Sequence, residues 1–207
     1  MKNCNRIAGL TLVLVLSLIV LGCAGSAATP PPAAPPAPQA SAKEPGVSSS
    51  PAQWQSDGII ADKEYTSHQK IGDIDVYSRV SGDTVLFGLR AETQGYLAIG
   101  IGAEDKMKGA DILMGFIKDG QATVSEVHST GPYGPHPAVQ ASTVGQVSGS
   151  LKDGVMTIEF SRKLDPGGAD TKPLKIGENQ LIWALGPGMD IEKKHGRRGS
   201  GTITLVQ

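Results

Sequence analysis

Apolar and polar positions alternate in short runs from residue 74 onward, and turn residues separate the runs. In 74–80 the apolar side chains Ile74, Val76 and Val80 fall at even positions, and Ser81-Gly82-Asp83 follows as a turn. In 85–91 Val85, Phe87 and Leu89 share a face. In 96–101 Leu97, Ile99 and Ile101 share one face, and Tyr96, Ala98 and Gly100 the other. A period of two marks half-buried strands. Runs 110–117 and 122–128 flank Asp119-Gly120, and runs 144–151 and 155–161 flank Asp153-Gly154. Asp-Gly between alternating runs is a hairpin signal. Two further strands are predicted over 180–185, with Trp183, and 201–206. Upstream, Trp54, a turn at Asp57-Gly58 and a short strand around Ile59-Ile60 are expected to open the domain. The stretch 129–137 is too rich in Gly and Pro for regular structure. The pattern predicts an all-β fold, an antiparallel β-sandwich of about nine to eleven strands, over residues 54–207.

The first fifty residues read differently. Lys2 and Arg6 precede an apolar run over 7–21 that ends Val20-Leu21-Gly22-Cys23. About 15 residues is short for a membrane span, which needs roughly 20, and suits a signal-peptide core. Gly22 before Cys23 looks like a bacterial lipobox. The expectation is a lipoprotein signal peptide over 1–22 and lipidation at Cys23, with an ordinary signal peptide or uncleaved anchor as the alternative. Cleavage would remove Lys2 and Arg6 but no acid, taking the formal charge from −1 to −3. Ala24, not Asp, follows Cys23 and gives no clear inner-membrane retention signal. Residues 24–51 carry eight of the fourteen prolines and almost no large apolar side chain. Such a segment cannot bury a core, so 23–53 is predicted to be a disordered tether or passive spacer.

Composition narrows the chemistry. Charge is balanced, so a nucleic-acid role has no electrostatic support. Both cysteines, Cys4 and Cys23, precede the domain, and no Cys-x-x-Cys-His is present. Covalent haem attachment, thiolate zinc sites and cysteine nucleophiles in the domain are thereby excluded. No Ser-His-Asp spacing, P-loop or dinucleotide fingerprint occurs, and the chain is expected not to be an enzyme. Asp57, Asp111, Asp165 and Asp170 read as turn and strand-end residues.

Met107 is the odd residue. It sits in a polar loop, Ala103-Glu104-Asp105-Lys106, between two strand-like runs. Alone it reads as a gap-filling methionine. His195, in Lys193-Lys194-His195-Gly196-Arg197-Arg198-Gly199, reads alone as an exposed loop histidine. His128 and His136, flanking the Gly/Pro loop, could be a weak metal pair, substitute iron ligands or plain loop residues. Met114 reads as core.

Several stretches together resemble the DOMON domain family. They are Trp54-x-x-Asp57-Gly58-x-Ile60 with Glu64-Tyr65; Gly95-Tyr96-Leu97-Ala98-Ile99-Gly100; Met107-Lys108-Gly109-Ala110-Asp111-Ile112; Glu159-Phe160-Ser161-Arg162-Lys163-Leu164-Asp165; Ile182-Trp183-Ala184; and His195-Gly196-Arg197-Arg198-Gly199. The resemblance implies an immunoglobulin-like sandwich. Through the family's cytochromes it also implies a non-covalent b-type haem between Met107 and His195. Such a domain would transfer electrons to a redox partner protein at a membrane or cell envelope. The two ligand loops are then expected to meet at one end of the sandwich, with Leu97, Ile99, Leu113 and Phe116 as candidate lining. Arg197 and Arg198 become possible partners of the haem propionates, since guanidinium suits carboxylate; an acidic partner or lipid headgroups, and a plain solvated basic loop, are the other readings. The alternatives are a haem-free module of the same fold that binds a carbohydrate or other small ligand, and an adhesion domain.

Overall fold

The computed structural model describes residues 53–190 and 193–207. The expected signal peptide, Cys23 and nearly all of the tether lie outside the described residues. Among them are ten strands and no helix: β1 (Ser67–Ile71), β2 (Ile74–Ser81), β3 (Thr84–Glu92), β4 (Leu97–Ile101), β5 (Asp111–Lys118), β6 (Gln121–His128), β7 (Gly145–Lys152), β8 (Val155–Lys163), β9 (Gly177–Leu185) and β10 (Arg197–Leu205). They form two five-stranded antiparallel sheets, ordered β1-β2-β3-β8-β7 and β10-β9-β4-β5-β6. This is the all-β sandwich that the alternation predicts.

Parity decides what each sheet buries. Ile74 and Val76 of β2, Val85, Phe87 and Leu89 of β3, and Met156, Ile158 and Phe160 of β8 face inward from the first sheet. Leu97, Ile99 and Ile101 of β4, Leu113 of β5, and Leu181, Trp183 and Leu185 of β9 meet them from the second. The Asp-Gly hairpins form as predicted, with Asp119 and Asp153 at φ 52° and glycines following at positive φ.

Two ends of the pattern are misread by alternation. β1, Ser-His-Gln-Lys-Ile, has too few apolar residues to register as a strand, yet it pairs with β2 along its whole length. β10 begins at Arg197, where the basic run suggests loop, because Arg197 to Gly201 continue the ladder with β9.

The segment 53–66 corrects the expected short strand. It lies across the outer face of the first sheet and is held there by Glu159. Oε2 of that fully buried carboxyl accepts from the backbone N–H groups of Asp57 (3.1 Å), Gly58 (2.7 Å) and Ile59 (3.2 Å). Oε1 accepts from the Tyr65 hydroxyl at 2.6 Å, which itself accepts from Trp54 Nε1 at 2.8 Å. Backbone donors that satisfy a buried carboxylate leave no partner for a neighbouring strand.

A second buried charge group lies between the sheets. Arg162 of β8 is fully buried and reaches Asp111 through Nη2, Glu126 Oε1 through Nε at 3.1 Å, and the Lys172 carbonyl at 2.7 Å. It fastens the first residue of β5 and the interior of β6 to the opposite sheet.

Candidate functional site

The centre of the outward face of the second sheet, on β4, β5 and the end of β9, is apolar, where a solvated sheet face would be polar. Ala98 stands opposite Met114 on one side and Ala184 on the other; Gly100 stands opposite Ile112 and Ile182. Tyr96, Ala98, Ala110, Ile112, Met114 and Val127 form a second buried cluster, with Met107, Phe116 and Ile182 packed against it. A Cβ at Gly100 would lie 2.7 Å from Ile182 Cγ1 and 3.3 Å from Ile112 Cγ1, so the centre of this floor is flat. Of the lining expected from sequence, only Phe116 belongs here. Leu97, Ile99 and Leu113 point into the intersheet core, and the opposite parity of β4 and β5 supplies the floor.

Met107 reaches that floor from the β4–β5 link. Lys106 takes φ 55° and Gly109 φ 75°, and the Lys108 N–H donates to Asp105 O at 2.9 Å, closing a tight turn that folds the Met107 side chain back onto the sheet. The same link is stitched to the β6–β7 link. Gly109 N–H donates to Ser129 O at 2.7 Å and Ser129 N–H to Ala110 O at 2.9 Å. On the outside Lys106 Nζ bonds the Tyr133 hydroxyl. The stitching brings His136 onto Met107, with Nε2 at 3.4 Å from Sδ.

His195 arrives from the β9–β10 link, which wraps Tyr96. The Tyr96 hydroxyl donates to Lys193 O at 3.1 Å, Gly186 N–H donates to Tyr96 O at 2.8 Å, and Gly196 N–H donates to Leu185 O at 2.9 Å. His195 Nδ1 is buried with no hydrogen-bond partner among the described residues. Burial, then the positive charge of Arg198, holds its imidazole below the usual histidine value, and His136 is near enough to push the same way. His136 thus touches Met107, while His195, close enough to His136 for the two rings to influence each other, has an imidazole suited to the neutral, lone-pair-bearing form.

The meeting of two loops at one end of the sandwich is not what brings them together. Ile101 ends β4 opposite Asp111 and begins the Met107 link, whereas Leu97 pairs with Leu185, after which the His195 link begins. The two links leave opposite ends of β4 and converge over its face.

The remaining expected residues divide. Arg197 Nη1 pairs with Asp73 Oδ2 at 3.2 Å and Nη2 bonds the Glu92 carbonyl, away from the floor. Arg198 stands in register with Ala184, on the floor side, close enough to act on both His195 and Lys106. His128 is opposite Asp111, on the face turned away from Val127, so it does not join His136. Met114 is buried, but in the floor cluster and not between the sheets.

A flat apolar group held by soft and imidazole donors fits this arrangement: an apolar floor levelled by Ala98 and Gly100, a thioether, a buried imidazole nitrogen with no partner, and a guanidinium at the edge. Among the described residues no cluster of three or more His, Cys, Asp or Glu side chains offers a metal ion an alternative site. Sequence reasoning left His136 undecided and missed Arg162 with Glu126. A Gly/Pro loop gives no periodicity to place a side chain, and a buried arginine in a strand reads as an outward polar position.

The chain resembles solved cytochrome domains. The cytochrome domain of cellobiose dehydrogenase from Myriococcum thermophilum aligns with a TM-score of 0.54 at 14% identity, over 64% of this chain and 75% of that one. The cytochrome b domain of pyranose dehydrogenase from Coprinopsis cinerea aligns with a TM-score of 0.49 at 16% identity, over 63% and 75%. At such identities the first likeness is one of fold. The DOMON domain profile matches residues 70–186, more than half of the sequence and the strands β2 to β9 in full, and the chain belongs to the DOMON domain family.

Proposed function

We propose that the domain binds a non-covalent b-type haem against the outer face of the second sheet and serves as a one-electron carrier. The observation that carries this reading is a thioether laid on an apolar sheet face with an imidazole against it, beside a link whose His195 buries a ring nitrogen with no hydrogen-bond partner. Met107 and His195 would hold the iron, as the family resemblance implies. A haem held by thioether and imidazole is six-coordinate, with no open position, and a thioether ligand raises its potential. The residues around it do the rest. Ala98, Gly100, Ile112 and Met114 exclude water from one face. Tyr96 holds the His195 link in place through its bond to Lys193 O. Arg198 offers a fork to a carboxylate at the edge.

The lipobox at Cys23 supports export and anchoring at a bacterial envelope, where the redox partner would be a protein at the membrane. Several acyl chains anchor stably where one does not.

Colour is the test. Protein from haem-supplied cells is expected to show a sharp Soret band and, when reduced, the narrow visible bands of low-spin b haem. His195→Ala is expected to give a high-spin or empty site. A colourless wild type that also fails to take up added haem returns the domain to a haem-free ligand-binding module.

A further inference from the structure

The site offers three candidate donors, Met107, His136 and His195, one more than the haem reading above uses. His136 is the surplus one, and it is not incidental to its loop. Its ring backs onto Gly134, which has φ 100°; a Cβ there would lie 3.0 Å from His136 Cε1 and 3.2 Å from Nδ1. The loop base is zipped to β6 by His128 N–H to Pro137 O (2.9 Å) and Val139 N–H to Glu126 O (3.2 Å). Its far side is tied to the Met107 link through Ser129, as described above. His136 and Met107 are thus presented by two loops that behave as one body, with Nε2 and Sδ at 3.4 Å.

Resting on the haem reading above, we propose that His136 is a second iron ligand on the Met107 side, able to replace the thioether. No electrons need be gained or lost. An Fe–S bond would break and an Fe–N bond would form, and Nε2 would bind in the tautomer that carries the ring proton on Nδ1, the proton it holds when bonded to Sδ passing to solvent. The shift required is about the Nε2–Sδ separation of 3.4 Å. Imidazole suits ferric iron and the thioether favours ferrous iron, so the partition between the two ligands would differ between oxidised and reduced protein. His195 would remain a ligand in both states.

The experiment uses the haem-loaded full chain as wild type, Met107→Ala, His136→Ala and the double variant, with Met107→Leu as a volume-conserving control should truncation unfold the link. Optical and electron paramagnetic resonance spectra are recorded, and carbon monoxide is offered to the ferrous forms. Met107→Ala and Met107→Leu are expected to stay six-coordinate and low-spin with the signature of two imidazoles. The double variant is expected to become high-spin and to bind carbon monoxide at once. His136→Ala is expected to keep the thioether-to-iron charge-transfer band. High-spin spectra in both Met107 variants would overturn the proposal, and so would a low-spin double variant, which would place the replacement ligand elsewhere. A colourless wild type removes the haem reading and this inference together; a coloured wild type with high-spin Met107 variants removes only this inference.

Discussion

Arg162 is the side chain on which the second sheet depends most. It is fully buried with Asp111 and Glu126, and it also donates to the Lys172 and Lys163 carbonyls. Removing one partner of a buried charge group costs about 3–5 kcal/mol, because the others are left unpaired. Arg162→Ala is therefore expected to lower stability by about that amount, read as a shift in the urea midpoint at unchanged slope; a loss under about 1 kcal/mol would mean the group is solvated. The same group explains part of what sequence could and could not tell. Asp111 and Arg162 both stand in stretches that carry the family resemblance, yet alternation assigns Asp111 to a strand end and says nothing of a partner 51 positions away. Met107 was legible as an unusual residue, and His195 only through the family resemblance; that their links leave opposite ends of β4 was not legible, since it depends on strand pairing.

At the scale of elements, the strands follow from alternation and the turns from Asp-Gly, whereas β1 and the start of β10 follow from pairing alone. The 53–66 segment depends on one carboxyl, and its protonation sets a testable sign. Burial pushes the Glu159 carboxyl up from the usual range, against the pull of the Tyr65 hydroxyl and the Gly58 and Asp57 N–H groups. The folded state then holds that proton more tightly than the unfolded chain. Its contribution is present below the ordinary carboxylate value, about 4.3, and is lost as pH rises through the raised folded value. Wild type is expected to lose stability relative to Glu159→Gln across that window, measured as the difference between their denaturant midpoints at stepped pH. A difference that stays constant, or grows in favour of wild type, would show that the donors outweigh burial. The floor can be tested at the same scale. Gly100→Val would drive a branched side chain into Ile182 and Ile112, and is expected to weaken haem retention, followed by transfer of haem to apomyoglobin, more than it lowers the urea midpoint.

For the whole molecule, the proposal joins a folded carrier to a tether and a lipid anchor. If Cys23 is the anchoring residue, Cys23→Ser is expected to move the protein from the membrane fraction to the soluble fraction while leaving the haem spectrum unchanged. Retention in the membrane fraction would point to an uncleaved apolar segment or another attachment. The boundary expected between tether and domain rests on the abrupt change of composition near Trp54. The partner was not legible, since a basic rim of Lys106 and Arg198 specifies charge and little else.

β4 acts as a gauge. Its five residues, Leu97–Ile101, span about 13 Å at roughly 3.3 Å per residue, and the two links that carry Met107 and His195 start from its two ends. Strand length thus sets how far apart the two links start, and the folding of each link sets where Met107 and His195 end. Two residues added to β4 would preserve which side chains face the floor, yet draw the links apart by about 7 Å. One added residue would keep the links nearer but turn the floor over. Strand and links are therefore matched in length: lengthening this one short strand would require longer links to bring Met107 and His195 over the same floor.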